Sequence, residues 1–198
     1  MAKHTFEFTI AMTLLVVAPS QRHLIAGQHS SVPEHRPLTL PSIRPGDSCT
    51  IAVGSRGTVP NQNHIFGASG AWFGAGPVYV ALPYRFTRDD NNATFSLDQV
   101  PLVDGVHRAK TPWVSVPSYS GAILIRGHAL DASGRTLRFS ASGAGSRDRL
   151  YLEAPQVRSA GLWSFWASSM WMPGAGCYGI QIDTLSRTEI VIFEAIQG

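Results

Sequence analysis

Two cysteines, a run of tryptophans and a few isolated histidines are the residues through which this 198-residue chain could do chemistry. Cys49 and Cys177 are the only two cysteines. In an exported chain that even count predicts a Cys49–Cys177 disulfide, the alternative being two free thiols. The bridge would close a loop of roughly 130 residues, worth up to about 4–5 kcal/mol if it acts by restricting the unfolded chain. Cys177 has the opposite parity to Tyr178, Ile180 and Ile182, so if those three face the core it points away from it. The bridge is therefore expected at the rim of the fold, where Gly174 and Gly176 bend the chain.

The segment Leu162–Met172 carries Trp163, Phe165, Trp166 and Trp171. On a strand Trp163 and Phe165 share one face while Trp166 lies on the other. Rings left exposed on a sheet suit sugar stacking or a protein interface, which makes Trp163, Trp166 and Trp171 the candidate binding residues. The alternative is that loops cover both faces.

Other constellations are poorer. His29, His35, His64, His107 and His128 have no i, i+2 or i, i+4 spacing, so a metal would need ligands gathered from distant loops, with His107, His128 and Asp131 the one convergent possibility. We expect no metal and no cofactor. Gly67–Gly70 and Gly143–Ser146 lack the Gly-x-Ser-x-Gly elbow of a serine hydrolase. Glu153, Glu189 and Glu194 fall on the expected solvent faces of strands. Arg88–Asn92 offers oxygen ligands suited to calcium but is also an ordinary hairpin loop. Arg126 and Asp131 could clamp a substrate, although Asp131 after Leu130 equally suits an Asx turn. The chain is expected not to be an enzyme.

The elements that would hold these residues are short strands. Apolar alternations punctuated by Gly, Pro, Asn and Ser predict strands over Cys49–Val53, Pro77–Leu82, Ala93–Leu97, Pro112–Val116, Ala122–Arg126, Leu137–Ala141, Arg149–Glu153, Leu162–Trp166, Met170–Met172, Tyr178–Asp183 and Glu189–Ala195. The last two form a hairpin around the polar break Thr184–Thr188. Breaks at this spacing define an antiparallel sandwich or barrel, and no long helical stripe competes.

At the N-terminus, the apolar run Phe8–Ala18 behind Lys3 is too short to span a bilayer and fits a signal-peptide core, although Glu7 weakens the positive start. Residues 1–27 are read as a signal peptide, ending at Ser20 or near Gly27. Leu24–Gly27 looks like a lipobox, but Gln28 stands where the lipidated cysteine should be, so the expected product is secreted or extracytoplasmic, in the cell envelope; an uncleaved anchor is the alternative. Residues 28–46, with Pro33, Pro37, Pro41 and Pro45, read as an extended Pro-rich linker. Residues 47–198 are left as one β-sandwich domain. No second membrane span is expected.

The net charge is +3, and about +2 once Lys3, Arg22 and Glu7 leave with residues 1–27. The basic residues are scattered singly, with no basic stripe interleaved with aromatics, which disfavours nucleic acid as a partner.

Four pieces in order carry a resemblance: Cys49 opening the domain; Lys110-Thr111-Pro112-Trp113-Val114 with Pro117–Gly121; Ile123–Asp131; and Pro173–Asp183 with its Gly-Cys-Tyr. The set resembles a group of bacterial exported proteins and lipoproteins of uncharacterised function built on an immunoglobulin-like β-sandwich. The resemblance implies that fold and that compartment, and no activity. On the residues themselves, Trp113 is the expected core aromatic, Gly127 is expected to end a buried strand and let the backbone turn, Leu130 to pack back on the core, and Asp131 to accept backbone hydrogen bonds. Tyr178 begins the inward-facing set of the final hairpin. The expected function is that of an exported, non-enzymatic module acting by binding a protein or glycan or as an envelope component; an accessory sugar-binding domain and an extracytoplasmic hydrolase with dispersed residues are the alternatives.

Overall fold

A computed structural model describes residues 36–44, 47, 49, 72–82, 94–131, 133–141, 144–154 and 163–198. The expected signal peptide, the Arg88–Asn92 loop, His29, His35, His64 and all but the first residue of the Cys49–Val53 strand lie outside them. The described strands are β1 (Trp72–Phe73), β2 (Val78–Ala81), β3 (Thr94–Ser96), β4 (Leu102–Val103), β5 (Val106–Lys110), β6 (Trp113–Ser115), β7 (Ile123–Ala129), β8 (Arg138–Ala141), β9 (Arg149–Leu152), β10 (Ser164–Trp166), β11 (Ser168–Met172), β12 (Gly176–Asp183) and β13 (Thr188–Ile196). They form three sheets, ordered β1-β2-β6-β10, β4-β5-β11-β8 and β3-β13-β12-β7-β9. All pairings are antiparallel except β13 with β3. The fold is an all-β sandwich, as its alternation of apolar and polar residues requires. Among the described residues no helix is long and apolar enough to cross a membrane.

One core joins the three sheets. Val78, Val80 and Trp113 enter it from the first, Ala109, Phe139, Met170 and Met172 from the second, and Ile123, Ile125, Tyr178, Ile180, Ile182 and Phe193 from the third. Trp113 is fully buried, and its indole Nε1 donates to Ser168 Oγ at 2.9 Å, which keeps its one polar atom satisfied. The final hairpin pairs β12 with β13 from Gly176↔Ala195 to Asp183↔Thr188. Within it Tyr178 stacks on its cross-strand partner Phe193, with ring centroids 5.5 Å apart.

β1, β4 and β5 are not among the strands expected from sequence. The β4–β5 hairpin turns through Asp104 (φ 51°) and Gly105 (φ 76°), a two-residue turn with both residues left-handed, for which Asp-Gly is a favoured pair. Gly127 is also placed differently from expectation. It lies inside β7, not at its end, because a Cβ there would meet the Gly179 carbonyl oxygen at 2.6 Å and Leu137 Cδ1 at 2.8 Å; close approach, not a turn, requires the glycine.

Cys49 and Cys177 are bonded, with Cα atoms 5.5 Å apart. As the parity of β12 demands, Cys177 faces away from the main core. It packs instead with Leu130 and Ile192 in a second layer on the outer face of the third sheet, against Leu40, Ile43 and Cys49. Leu130 therefore packs on that outer layer, not back on the main core.

Residues 36–44 have no regular secondary structure and pack against the third sheet. Thr39 N–H donates to Gln181 Oε1 at 2.7 Å, Gln181 Nε2 donates to the Pro37 carbonyl at 2.9 Å, and Ile43 N–H donates to the Leu130 carbonyl at 2.9 Å. The Gln181 carboxamide thus ties this segment to β12, its Nε2 also donating to the Asp183 carboxylate at 3.1 Å.

Candidate functional site

On β5, Arg108 and Lys110 alternate with the core residue Ala109, so both project from the outer face of the second sheet. The register places Trp171 of β11 opposite Arg108, and Ser169 opposite Lys110. On its other side β11 aligns Trp171 with Arg138 of β8, and Ser169 with Ser140. Two rows result across three strands: Arg108–Trp171–Arg138 and Lys110–Ser169–Ser140. Directly opposed side chains in an antiparallel pair are close enough to interact.

The rows are interlocked. The Arg108 guanidinium carbon lies 5.2 Å from the Trp171 ring centroid, a cation–π contact. Arg108 Nε donates to Ser169 Oγ at 3.3 Å. Trp171 Nε1 donates to Ser140 Oγ at 3.1 Å, fixing the ring that carries the guanidinium. Arg138 Nη2 donates to the Ser146 carbonyl at 2.8 Å. Arg108, Lys110 and Arg138 are all exposed. Among the described residues, the two terminal nitrogens of Arg108 and the Lys110 ammonium have no hydrogen-bond partner. An oriented guanidinium with both terminal nitrogens available matches the bidentate geometry of carboxylate, sulfate or phosphate.

Arg108 and Lys110 border an open groove of about 310 Å³ that Pro112, Phe165, Ala167, Ser168 and Ser169 also line. No acidic side chain lines it among the described residues.

The three candidate tryptophans do not form a row. Trp163 packs on the first sheet with Trp72, Ala81, Val114 and Tyr79, its ring centroid 5.9 Å from that of Tyr79. Trp166 sits opposite Trp113 in register and packs against the main core. Trp171 lies on the second sheet. All three are half-buried, because strand alternation and the break at Ala167 send them into different layers.

Arg126 and Asp131 do not meet in a clamp either. Arg126 pairs with the fully buried Asp183 at 2.6 Å and donates to the Arg36 carbonyl at 2.8 Å. Asp131 accepts from Ser133 N–H at 3.1 Å, an Asx turn, and also from the Ser133 hydroxyl. Arg135 Nη2 completes the turn with a 2.8 Å ion pair to Asp131 and reaches the Ala175 carbonyl with Nη1. The Ser133 hydroxyl, more than the arginine, holds the Asp131 carboxyl below its ordinary range. Tyr178 donates its hydroxyl to the Gly174 carbonyl at 2.7 Å, and burial pushes that hydroxyl's pKa up.

His107 and His128 belong to different sheets, and the His128 ring lies against its neighbour's carbonyl, Nδ1 to Ala129 O 2.7 Å. Among the described residues no three His, Cys, Asp or Glu side chains come together as metal ligands. Glu153 is exposed, but Glu189 is half-buried, accepts from the Ala75 N–H, and has its carboxyl pushed up by that burial.

Arg108, Lys110 and Arg138 escaped the sequence reading as a group because each stands alone in the chain. The Asp104-Gly105 pair is the signal that would have placed β5 and so aimed Arg108 and Lys110 at one face.

No protein-family model matches the chain, and no curated protein matches it. Among solved structures it is similar to the adhesive subunit CfaE of the CFA/I fimbria of enterotoxigenic Escherichia coli, in two crystal structures. For a point mutant of that adhesin the identity is 12% and the TM-score 0.29, over 63% of this chain and 60% of that one. For the adhesive subunit itself they are 13% and 0.28, over 62% and 59%. The matched region thus spans about three-fifths of the adhesin's length. At such TM-scores the likeness carries no argument about this chain.

Proposed function

We propose that this protein is an exported, non-enzymatic β-sandwich module that binds acidic glycans through the outer face of its second sheet. The observation that carries the reading is Arg108, held by Trp171 and Ser169 with its terminal nitrogens free, beside the unpartnered Lys110. Such a site recognises the carboxylate or sulfate of an acidic sugar, while Phe165 and Pro112 offer apolar wall to a ring face. Trp171 acts as the platform for the guanidinium, not as one of a planar row of stacking rings.

The compartment is supported by the Cys49–Cys177 bond, which is consistent with an extracytoplasmic location, and by the signal-like residues 1–27. The resemblance to bacterial exported sandwich proteins points the same way. The singly scattered basic residues, with no stripe of interleaved aromatics, favour an acidic glycan over nucleic acid.

The test is calorimetric titration of the purified protein with uronate-containing and sulfated oligosaccharides, with neutral oligosaccharides and single-stranded DNA as the other arms. Acidic sugars should bind, neutral ones should not, and Arg108→Ala should weaken binding at least about tenfold with only a small fall in melting temperature. Equal affinity for neutral sugars, or tighter binding of DNA than of any acidic sugar, would overturn the reading.

A further inference from the structure

A second groove of about 310 Å³ lies beside the first, and Ala141 at the end of β8 lines both. Its cationic members are Arg147 and Arg149, and Tyr151 stands with them. The Arg147 backbone is bound to Phe139 of β8 in both directions, at 2.6 and 2.8 Å, so this arginine is fixed at the free edge of the second sheet. Arg149 opens β9 and is aligned with Arg126 of β7. Leu150 and Leu152 of β9 enter the core, which sends the intervening Tyr151 outward, 45% exposed. The Arg138 bond to the Ser146 carbonyl ties the loop before Arg147 to β8 and so braces the corner between the grooves. Arg147 and Arg149 are exposed, and among the described residues neither side chain has a hydrogen-bond or ion-pair partner.

We infer that the two grooves are subsites of one track, and that the ligand is an extended polyanionic chain whose acidic groups occupy the Arg108–Lys110 groove and the Arg147–Arg149 groove together. The inference rests on the acidic-glycan reading and adds to it a ligand length and a second site. A ligand short enough to fill only one groove makes one set of contacts. A longer chain turns the second contact into an intramolecular one, so its affinity exceeds that of the short ligand without any new chemistry.

The experiment is a length series of heparin-derived oligosaccharides, from di- to octasaccharide, titrated into the full chain and two variants. For the wild type the affinity should rise with length and then level off. Arg147→Gln/Arg149→Gln, which keeps much of each side chain's length, should bind the disaccharide as the wild type does but lose the gain with length, about 10- to 100-fold at the octasaccharide. Its salt dependence should be shallower by about one ion per arginine removed. Arg108→Ala should weaken every length. Melting temperatures measured alongside should agree between the wild type and the Arg147/Arg149 double variant and fall only slightly for Arg108→Ala, which gives up its contacts to Trp171 and Ser169. Wild-type affinity of the double variant for the octasaccharide, or a flat length series with the disaccharide still bound, would overturn the track and leave the acidic-glycan reading standing. Absence of binding at every length would overturn both.

Discussion

The outer faces of the second and third sheets use the same side-chain chemistry to opposite ends. On the third sheet Arg126, Gln181 and Asp183 are covered by residues 36–44 and spend their hydrogen bonds on one another and on that segment. Asp183 accepts from Arg126, from Gln181 and, at 2.7 Å, from Thr188, whose hydroxyl in turn accepts from Arg36 at 3.2 Å. Nη2 makes both of the Arg126 bonds, to Asp183 and to the Arg36 carbonyl, while its buried Nε has no partner among the described residues. On the second sheet Arg108 is oriented by an aromatic face and a serine, and among the described residues no carboxylate neutralises it. An arginine paired with a buried carboxylate holds a structure together; an arginine oriented by neutral groups keeps its charge available. Partnering, not residue type, separates the structural Arg126 from the available Arg108.

The largest test of this contrast is the bond that pins the covering segment to the closed face. Cys49 and Cys177 stand at a sequence separation of 128. A Cys49→Ser/Cys177→Ser variant should lose roughly 4–5 kcal/mol, the cost expected for opening a loop of that size if the bond acts on the unfolded chain. Denaturant melts measure it, and a loss below about 1 kcal/mol would mean that the segment holds without the bridge. Next, Asp183→Ala should cost about 3–5 kcal/mol by leaving Arg126 without its buried partner, whereas Lys110→Ala on the open face should shift stability by less than about 0.5 kcal/mol. Equal effects would erase the distinction between the faces. A smaller change is expected at Gly179, under the covering segment. An added Cβ would meet Leu130 Cδ2 at 2.8 Å and Leu40 Cδ2 at 3.0 Å, both side-chain ends that can give. Gly179→Ala should therefore cost about 1 kcal/mol. Faster amide exchange at Thr39 in that variant would locate the cost in the segment.

The smallest expected effect is a pH dependence at Glu189. Burial raises its folded-state pKa above the ordinary value of 4.5, so the native state binds the proton more tightly than the unfolded chain does. Stability from this group is therefore greatest below that value and falls as pH rises from it through the raised one. Glu189→Gln should remove that slope, matching the wild type near pH 4 and exceeding it slightly at pH 7; thermal melts across that range check the sign.

What was legible in the chain follows from how local each signal is. The β12–β13 hairpin announces itself because Tyr178, Ile180 and Ile182 alternate with glycine and polar residues around a polar break. β5 does not, because its only fully buried apolar residue is Ala109 while its other positions are histidine, arginine, lysine and a partly buried valine. In the aromatic run Trp163–Trp171, alternation separates Trp163 from Trp166, but the layers that receive the rings depend on the break between β10 and β11. Gly127 read as a turn because a glycine that makes room for a neighbouring carbonyl carries no local mark of the neighbour.

By itself the sequence determined the all-β class, the cysteine partnership and the direction in which Cys177 points, since each follows from counting two thiols or from the two-residue period of a strand. Only the tertiary structure decided that residues 36–44 close one sheet face, and that Arg108 and Arg138 flank Trp171, with Lys110 in the next row, on another. The physical reason is that alternation fixes which side of its own strand a residue occupies, whereas neighbours on a face are fixed by which strands pair and in what register. Arg108 and Ser169 are 61 positions apart in the chain and in hydrogen-bond contact in the fold.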